Sequence, residues 1–269
     1  MVRRLALATA GLLLLAYCAA LVVLVTVQRD MLYKPTGTVE GPVAAGLDGV
    51  EEFALPAGEG EKLRAWYAAS ADGRPTILFF HGNSGTLEDR AKSYGRILAD
   101  GFGLLAITYR GFPGSTGEPS EAGLIEDGLS AFDWLRQKTG TIVIHGQSLG
   151  SGIAVQVAAR REAEALVLEV PFSSAVAVAE HRYWMFPVRQ LMWDQWRSDE
   201  LIGGLAEPVL ILAAGHDTVI PDGQAHDLFE HAREPKSLVT IPDANHNSMW
   251  SNGAWTLIKA FLAGLPKPG

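Results

Sequence analysis

Apolar positions along this chain fall into two patterns. From Leu5 to Val27 they form a single uncharged run of 23 residues. At about 1.5 Å of rise per helical residue, that run is roughly 34 Å long, enough to cross a hydrocarbon layer of about 30 Å. From Val50 onward the apolar residues come in short blocks instead. Glu52 to Leu55 and Leu63 to Ala68 alternate like two half-exposed strands, with Gly58 and Gly60 between them. Thr76 to Phe80 is continuously apolar and rich in β-branched and aromatic residues, as a strand buried on both faces would be. Leu104 to Tyr109, Ile142 to Ile144, Leu166 to Val170, Val209 to Ala213 and Leu238 to Ile241 read the same way. Between these blocks lie helical candidates: Leu87 to Ala99, Glu121 to Gln137, Ile153 to Ala159, Asp222 to His231 and Trp255 to Leu262. Strands alternating with helices predict an α/β fold, with a mostly parallel sheet flanked by helices on both faces.

Pro171 to Pro208 breaks the alternation and is rich in large apolar groups. It is expected to form a small helical cap insertion, about 171–208, over the C-terminal edge of the sheet. Trp184 and Phe186 are its candidate substrate-binding walls, and the same aromatics also serve ordinary packing.

The long apolar run predicts an N-terminal transmembrane helix. Arg3 and Arg4 precede it, whereas Arg29 and Asp30 follow it and cancel. The positive-inside bias then puts the N-terminus in the cytoplasm and the remainder on the extracytoplasmic side, the periplasmic face in a bacterium. The expected division is an uncleaved membrane anchor at 1–28 and one domain at 29–269. A cleaved signal peptide and a buried core helix are the alternatives. A signal's apolar core is usually about 7–15 residues, and here the run continues past the small residues at Ala16 to Ala20.

Charge narrows the partners. The chain carries 22 Lys+Arg against 30 Asp+Glu, a net −8, and the part beyond residue 28 carries −10 because Arg3 and Arg4 are gone. An acidic domain repels phosphate backbones, so no nucleic acid partner is expected. Cys18 is the single cysteine, which excludes an intrachain disulfide and a cysteine-based zinc site. No clustered His/carboxylate spacing is present, so no metal and no cofactor is expected. Nothing in the sequence sets an oligomeric state.

The most specific chemical signal is Gly146-Gln147-Ser148-Leu149-Gly150, after one predicted strand and before a helix starting near Ser151. A nucleophile perched between strand and helix needs a sharp, strained turn with small residues on either side. Ser148 is therefore the candidate nucleophile; its alternative is a plain helix N-cap. A serine hydroxyl needs a base. His246, in the loop after the last strand, is the candidate. His145 is assigned to packing, His226 and His231 to solvent, and His181 to the cap. The imidazole in turn needs a carboxylate. Asp217, 69 residues after Ser148 and 29 before His246, follows the penultimate strand; Asp222 and Asp243 are its rivals. The oxyanion donors are expected to be the backbone N–H groups of Leu149 and of Asn83, in the loop His81-Gly82-Asn83-Ser84-Gly85. Arg110 is expected to brace its glycine-rich loop by pairing with Asp127 or Glu121.

These residues resemble the α/β-hydrolase superfamily, and more narrowly its Bem46-like branch, which includes the ABHD13- and ABHD17-type serine hydrolases. The resemblance covers about residues 33–261. It rests on HGNSG at 81–85, YRGFPGSTGEP at 109–119, HGQSLGSG at 145–152, PFSS at 171–174, GHDTVIP at 215–221 and DANHN at 243–247. It implies the α/β-hydrolase fold and hydrolysis of a small-molecule acyl ester, thioester or lipid through an acyl-enzyme. A peptidase or amidase of the same fold and a non-catalytic membrane-tethered scaffold are the other readings.

Overall fold

The computed structural model describes residues 1–71, 73–221 and 223–265. The chain opens with helix α1 (Val2–Leu32), then runs through β1 (Glu51–Pro56), β2 (Lys62–Ala68), β3 (Thr76–Phe80), α2 (Ala91–Ala99), β4 (Gly103–Ile107), α3 (Glu121–Arg136), β5 (Ile142–Gln147) and α4 (Leu149–Ala158). It continues through β6 (Ala165–Glu169), α5 (Ala175–Arg182), α6 (Val188–Leu191), β7 (Val209–Ala214), α7 (Gln224–His231), β8 (Lys236–Ile241) and α8 (Ala254–Ala263).

The strands form one eight-stranded sheet in the order β1-β2-β4-β3-β5-β6-β7-β8. β2 runs antiparallel to both its neighbours, and every pair from β4 to β8 is parallel. β3, β4 and β6 are buried at every position, as their unbroken apolar runs require. The strand period of two splits the core between the two faces. Leu78 and Phe80 pack on one side with Leu124, Phe132 and Ile153 of α3 and α4. Ile77 and Phe79 pack on the other with Tyr94, Ile97 and Trp255 of α2 and α8. Of the two strands expected to be half-exposed, only β1 is; β2 buries Leu63 to Trp66 because it lies between two neighbours.

Helix α1 extends past the apolar run and is, among the described residues, the one helix long and apolar enough to cross a membrane. Its second half lies along the cap that contains α5 and α6. Arg29 grips Asp194 with Nε and Nη2 at 2.8 and 3.2 Å, and the Gln28 side chain accepts the Trp193 N–H at 2.8 Å.

Buried charge fixes the loops. Arg110 donates to Asp127 (2.9 Å from Nε, 2.8 Å from the backbone N–H) and to Glu59 (2.6 Å). Glu121, the other expected partner, instead faces the backbone of Gln195 and Trp196. Gly111 follows with φ 76°, where a Cβ would meet Pro119 Cδ at 2.5 Å, so only glycine closes this turn. Glu88 ties the strap after α1 to the sheet. It accepts the N–H groups of Glu40 and Gly41 (2.7 and 3.1 Å) and two bonds from Arg64 (2.7 and 3.0 Å).

Burial acts to raise the Glu88 pKa, but Arg64 and the two amides outweigh it and bring it to about 2. A carboxyl whose folded pKa lies below its unfolded value stabilises the fold above the unfolded value and loses that contribution as pH falls through the folded one. Urea denaturation should therefore find Glu88→Gln less stable than the parent at pH 7. The gap should close as pH drops from about 4.5 toward 2. A gap independent of pH would contradict this.

Candidate active site

In a parallel sheet the loops at the carboxyl ends of the strands share one rim. Here that rim gathers the loop after β3 (His81 to Gly85), the turn after β5 (Ser148), the loop after β7 (Asp217) and the loop after β8 (His246). At Ser148 the backbone takes φ 52° and ψ −116°, a conformation that side-chain-bearing residues rarely adopt. The flanking glycines explain how it is tolerated. A Cβ on Gly146 would lie 2.3 Å from the Gly150 carbonyl oxygen, and one on Gly150 would lie 2.1 Å from that of Phe80. The turn is pinned by the Ser148 N–H, which donates to the Glu169 carbonyl at 2.9 Å. Helix α4 starts at Leu149, earlier than Ser151, so the serine stands at its N-terminus, where negative charge is favoured.

The three distant side chains meet. His246 Nε2 lies 3.0 Å from Ser148 Oγ, and His246 Nδ1 lies 2.8 Å from Asp217 Oδ2. The other Asp217 oxygen accepts the N–H groups of Val219 and Ile220 at 2.8 and 2.9 Å. Burial acts to raise the Asp217 pKa, but the His246 hydrogen bond and the two amides prevail and hold it below the usual carboxylate range. Asp217 is thus a carboxylate at neutral pH, acceptor only, and it orients His246 with Nδ1 as the donor and Nε2 facing the serine. Of the rival carboxylates, Asp243 is exposed and makes no hydrogen bond to His246, and Asp222 lies outside the described residues.

Leu149 and Asn83 border the space in front of Ser148. The Asn83 side chain turns away and donates to the Leu32 carbonyl at 3.0 Å, and the Asn83 backbone carbonyl accepts the Lys34 N–H at 2.9 Å. The end of α1 thereby sets the position of this loop. Beneath it His81 is fully buried and stacked on Tyr109. Burial and the nearby Arg90 charge hold its pKa well below the ordinary value, so it is neutral.

No protein-family model matches the chain. It is 33% identical over 226 residues to the Mycobacterium tuberculosis protein Rv2307c, covering 82% of this chain and 80% of that one. It is 32% identical over 211 residues to the lysophosphatidylserine lipase ABHD12 of Danio rerio, covering 68% of this chain and 55% of that protein. The Pyrococcus furiosus esterase Pf2001 shares the fold, with a TM-score of 0.70 at 16% identity over 87% of this chain and 98% of that one. The chain belongs to the α/β-hydrolase superfamily.

The hydrolase carries a cavity of about 500 Å³ that opens on Ser148, walled mainly by apolar side chains of the cap and of α1. Phe186 is part of this wall. Trp184 is not: the residue is 78% exposed and does not line the cavity, so its expected place in the pocket is corrected. His181, His226 and His231 are exposed. His145 is buried, 3.2 Å from Glu169 through Nε2, and stacked on Trp250. Among the described residues no three His, Cys, Asp or Glu side chains come together as a metal site.

Sequence reasoning missed Glu169. This fully buried carboxylate at the end of β6 accepts from Gln147 (2.8 Å) and from the Trp250 indole (2.9 Å). Arg90 continues the network from Gln147 (3.3 Å) to the carbonyls of Ser84 and Thr86, both at 3.1 Å. One chain of polar contacts therefore locks the serine turn to the loop after β3. The available signal was a single acid inside the otherwise apolar strand Ala165 to Val170.

Gly150→Ala should lower the stability of the hydrolase by at least about 1–3 kcal/mol in urea denaturation, through forced overpacking against Phe80. Gly140→Ala, whose new methyl meets nothing within 4 Å, should be close to neutral. Equal midpoints for the two variants would contradict the steric account of the turn.

Proposed function

We propose that the protein is a serine hydrolase that cleaves carboxylic ester or thioester bonds of acyl substrates through Ser148, His246 and Asp217. The hydrogen-bonded line from Ser148 Oγ to His246 Nε2 (3.0 Å) and from His246 Nδ1 to Asp217 (2.8 Å) carries this reading. Ser148 attacks the acyl carbonyl while His246 takes its proton. The N–H groups of Leu149 and Asn83 hold the oxyanion, at a helix N-terminus that already favours negative charge. His246 then gives the proton to the departing alcohol or thiol. A water, deprotonated by the same imidazole, attacks the acyl-enzyme and releases the acid. Asp217 keeps the ring oriented and stabilises its cation.

The apolar cavity beside Ser148, with Phe186 in its wall, supports an acyl group as the part of the substrate that is bound. The lipase name of the ABHD12 relative supports the same class. Residues 1–28 act as an uncleaved membrane anchor and 29–269 as the hydrolase domain, with the cap at about 171–208. Arg3 and Arg4 hold the N-terminus on the cytoplasmic side, which puts the hydrolase domain on the extracytoplasmic side.

Steady-state kinetics with p-nitrophenyl esters, beside a thioester and an amide, test the reading. Ser148→Ala should lower kcat/KM by at least about a thousandfold. A near-parental rate in that variant would overturn the assignment.

A further inference from the structure

We propose that the last three turns of the membrane-spanning helix form one wall of the acyl site, so that the substrate is a membrane lipid with a long acyl chain that lies along α1. This inference rests on the serine-hydrolase reading and adds the identity of the substrate's apolar half.

The cavity on Ser148 is bordered by Leu21, Leu24, Val25, Gln28, Met31 and Leu32 of α1. Their spacing of three and four residues makes one continuous stripe on a helix. Across from them stand Val178, Phe186, Leu191 and Met192 of the cap. The reacting groups lie at the upper end of this trough, because Asn83 is bonded to the Leu32 carbonyl at the end of α1. From Leu32 down to Leu21 is about 16 Å of helix rise. Leu21 itself lies about 9 Å inside the end of the apolar run at Val27. The deep end of the trough is therefore level with lipid tails.

The cap follows α1 to the same depth. The Tyr17 hydroxyl donates to the Met185 carbonyl at 3.0 Å, and its ring stacks on Phe186 with centroids 5.3 Å apart. Beside this contact Trp184 and Met185 are 78% and 58% exposed, a costly arrangement in water and a favourable one in a bilayer. Higher up, Trp193 is exposed beneath the Arg29 guanidinium, the pairing of aromatic ring and cation that suits the headgroup level. The cavity of about 500 Å³ is long and apolar enough to take an acyl chain beside Ser148. With the chain in the trough, its carbonyl stands at Ser148. The ester C–O bond breaks there, the acyl group passes to Oγ and then to water, and the alcohol leaves with the proton from His246.

The test uses the full-length protein in phosphatidylcholine vesicles, with p-nitrophenyl palmitate and p-nitrophenyl acetate as substrates. Leu24→Trp and Leu21→Trp, which fill the trough at two levels, should each lower the palmitate-to-acetate ratio of kcat/KM at least tenfold. Leu13→Trp, on the free half of α1, should leave the ratio at the parental value. A parental ratio in both trough variants would overturn the inference. It would leave the serine-hydrolase reading standing if Ser148→Ala still abolishes acetate hydrolysis. Acetate hydrolysis that survives Ser148→Ala would overturn the reading itself. Two positions guard against misfolding at one of them, since acetate hydrolysis reports a folded site in each.

Discussion

The turn at Ser148 is the constraint from which the rest of the site follows. A serine held at φ 52°, with β3 packed against Gly150 and α4 against Gly146, has its Cβ fixed at the rim, and the hydrogen bond to His246 sets where its oxygen lies. That strain is affordable only because β5 sits in the middle of the sheet, paired on both sides and buried along most of its length. The local cost is met by the global packing, and the result is a hydroxyl presented above the sheet rim rather than folded into α4.

The parallel strands do the assembling. Ser148, Asp217 and His246 are far apart in sequence, yet each follows a strand by only a few residues. Because β5 to β8 point the same way, their loops open on one rim. Stiffness comes from buried polar groups below that rim. Glu169, Gln147 and Arg90 form a network in which each of these three side chains has a partner, and it holds the serine turn to the loop after β3. The site is thus built on rigid ground, while its apolar front is supplied by two elements outside the sheet, the cap and α1.

Much of the fold was legible in the sequence. Buried parallel strands leave unbroken apolar runs, and the run Thr76 to Phe80 has the same bounds as β3. The serine turn was legible because its glycines are demanded by contacts of about 2 Å, which few sequences satisfy by chance. What failed to show in the sequence depended on tertiary placement. The burial of β2 comes from its place between β1 and β4, which no local pattern records. Trp184 and Phe186 are two residues apart and equally aromatic, yet one lines the cavity and the other faces outward; only the path of the cap decides between them. The contacts of α1 with the cap were hidden as well, since an apolar run long enough to span a bilayer gives no sign of which stripe touches protein.

The central claim is that one hydroxyl among many is made nucleophilic by its turn and its imidazole. The most direct measurement is peptide mass spectrometry of the folded protein after exposure to a fluorophosphonate probe, with urea-unfolded protein alongside. The account predicts a single covalent adduct on the peptide containing Ser148 in the folded sample and none in the unfolded one. Absence of that adduct from folded protein, or its appearance on another serine, would contradict it.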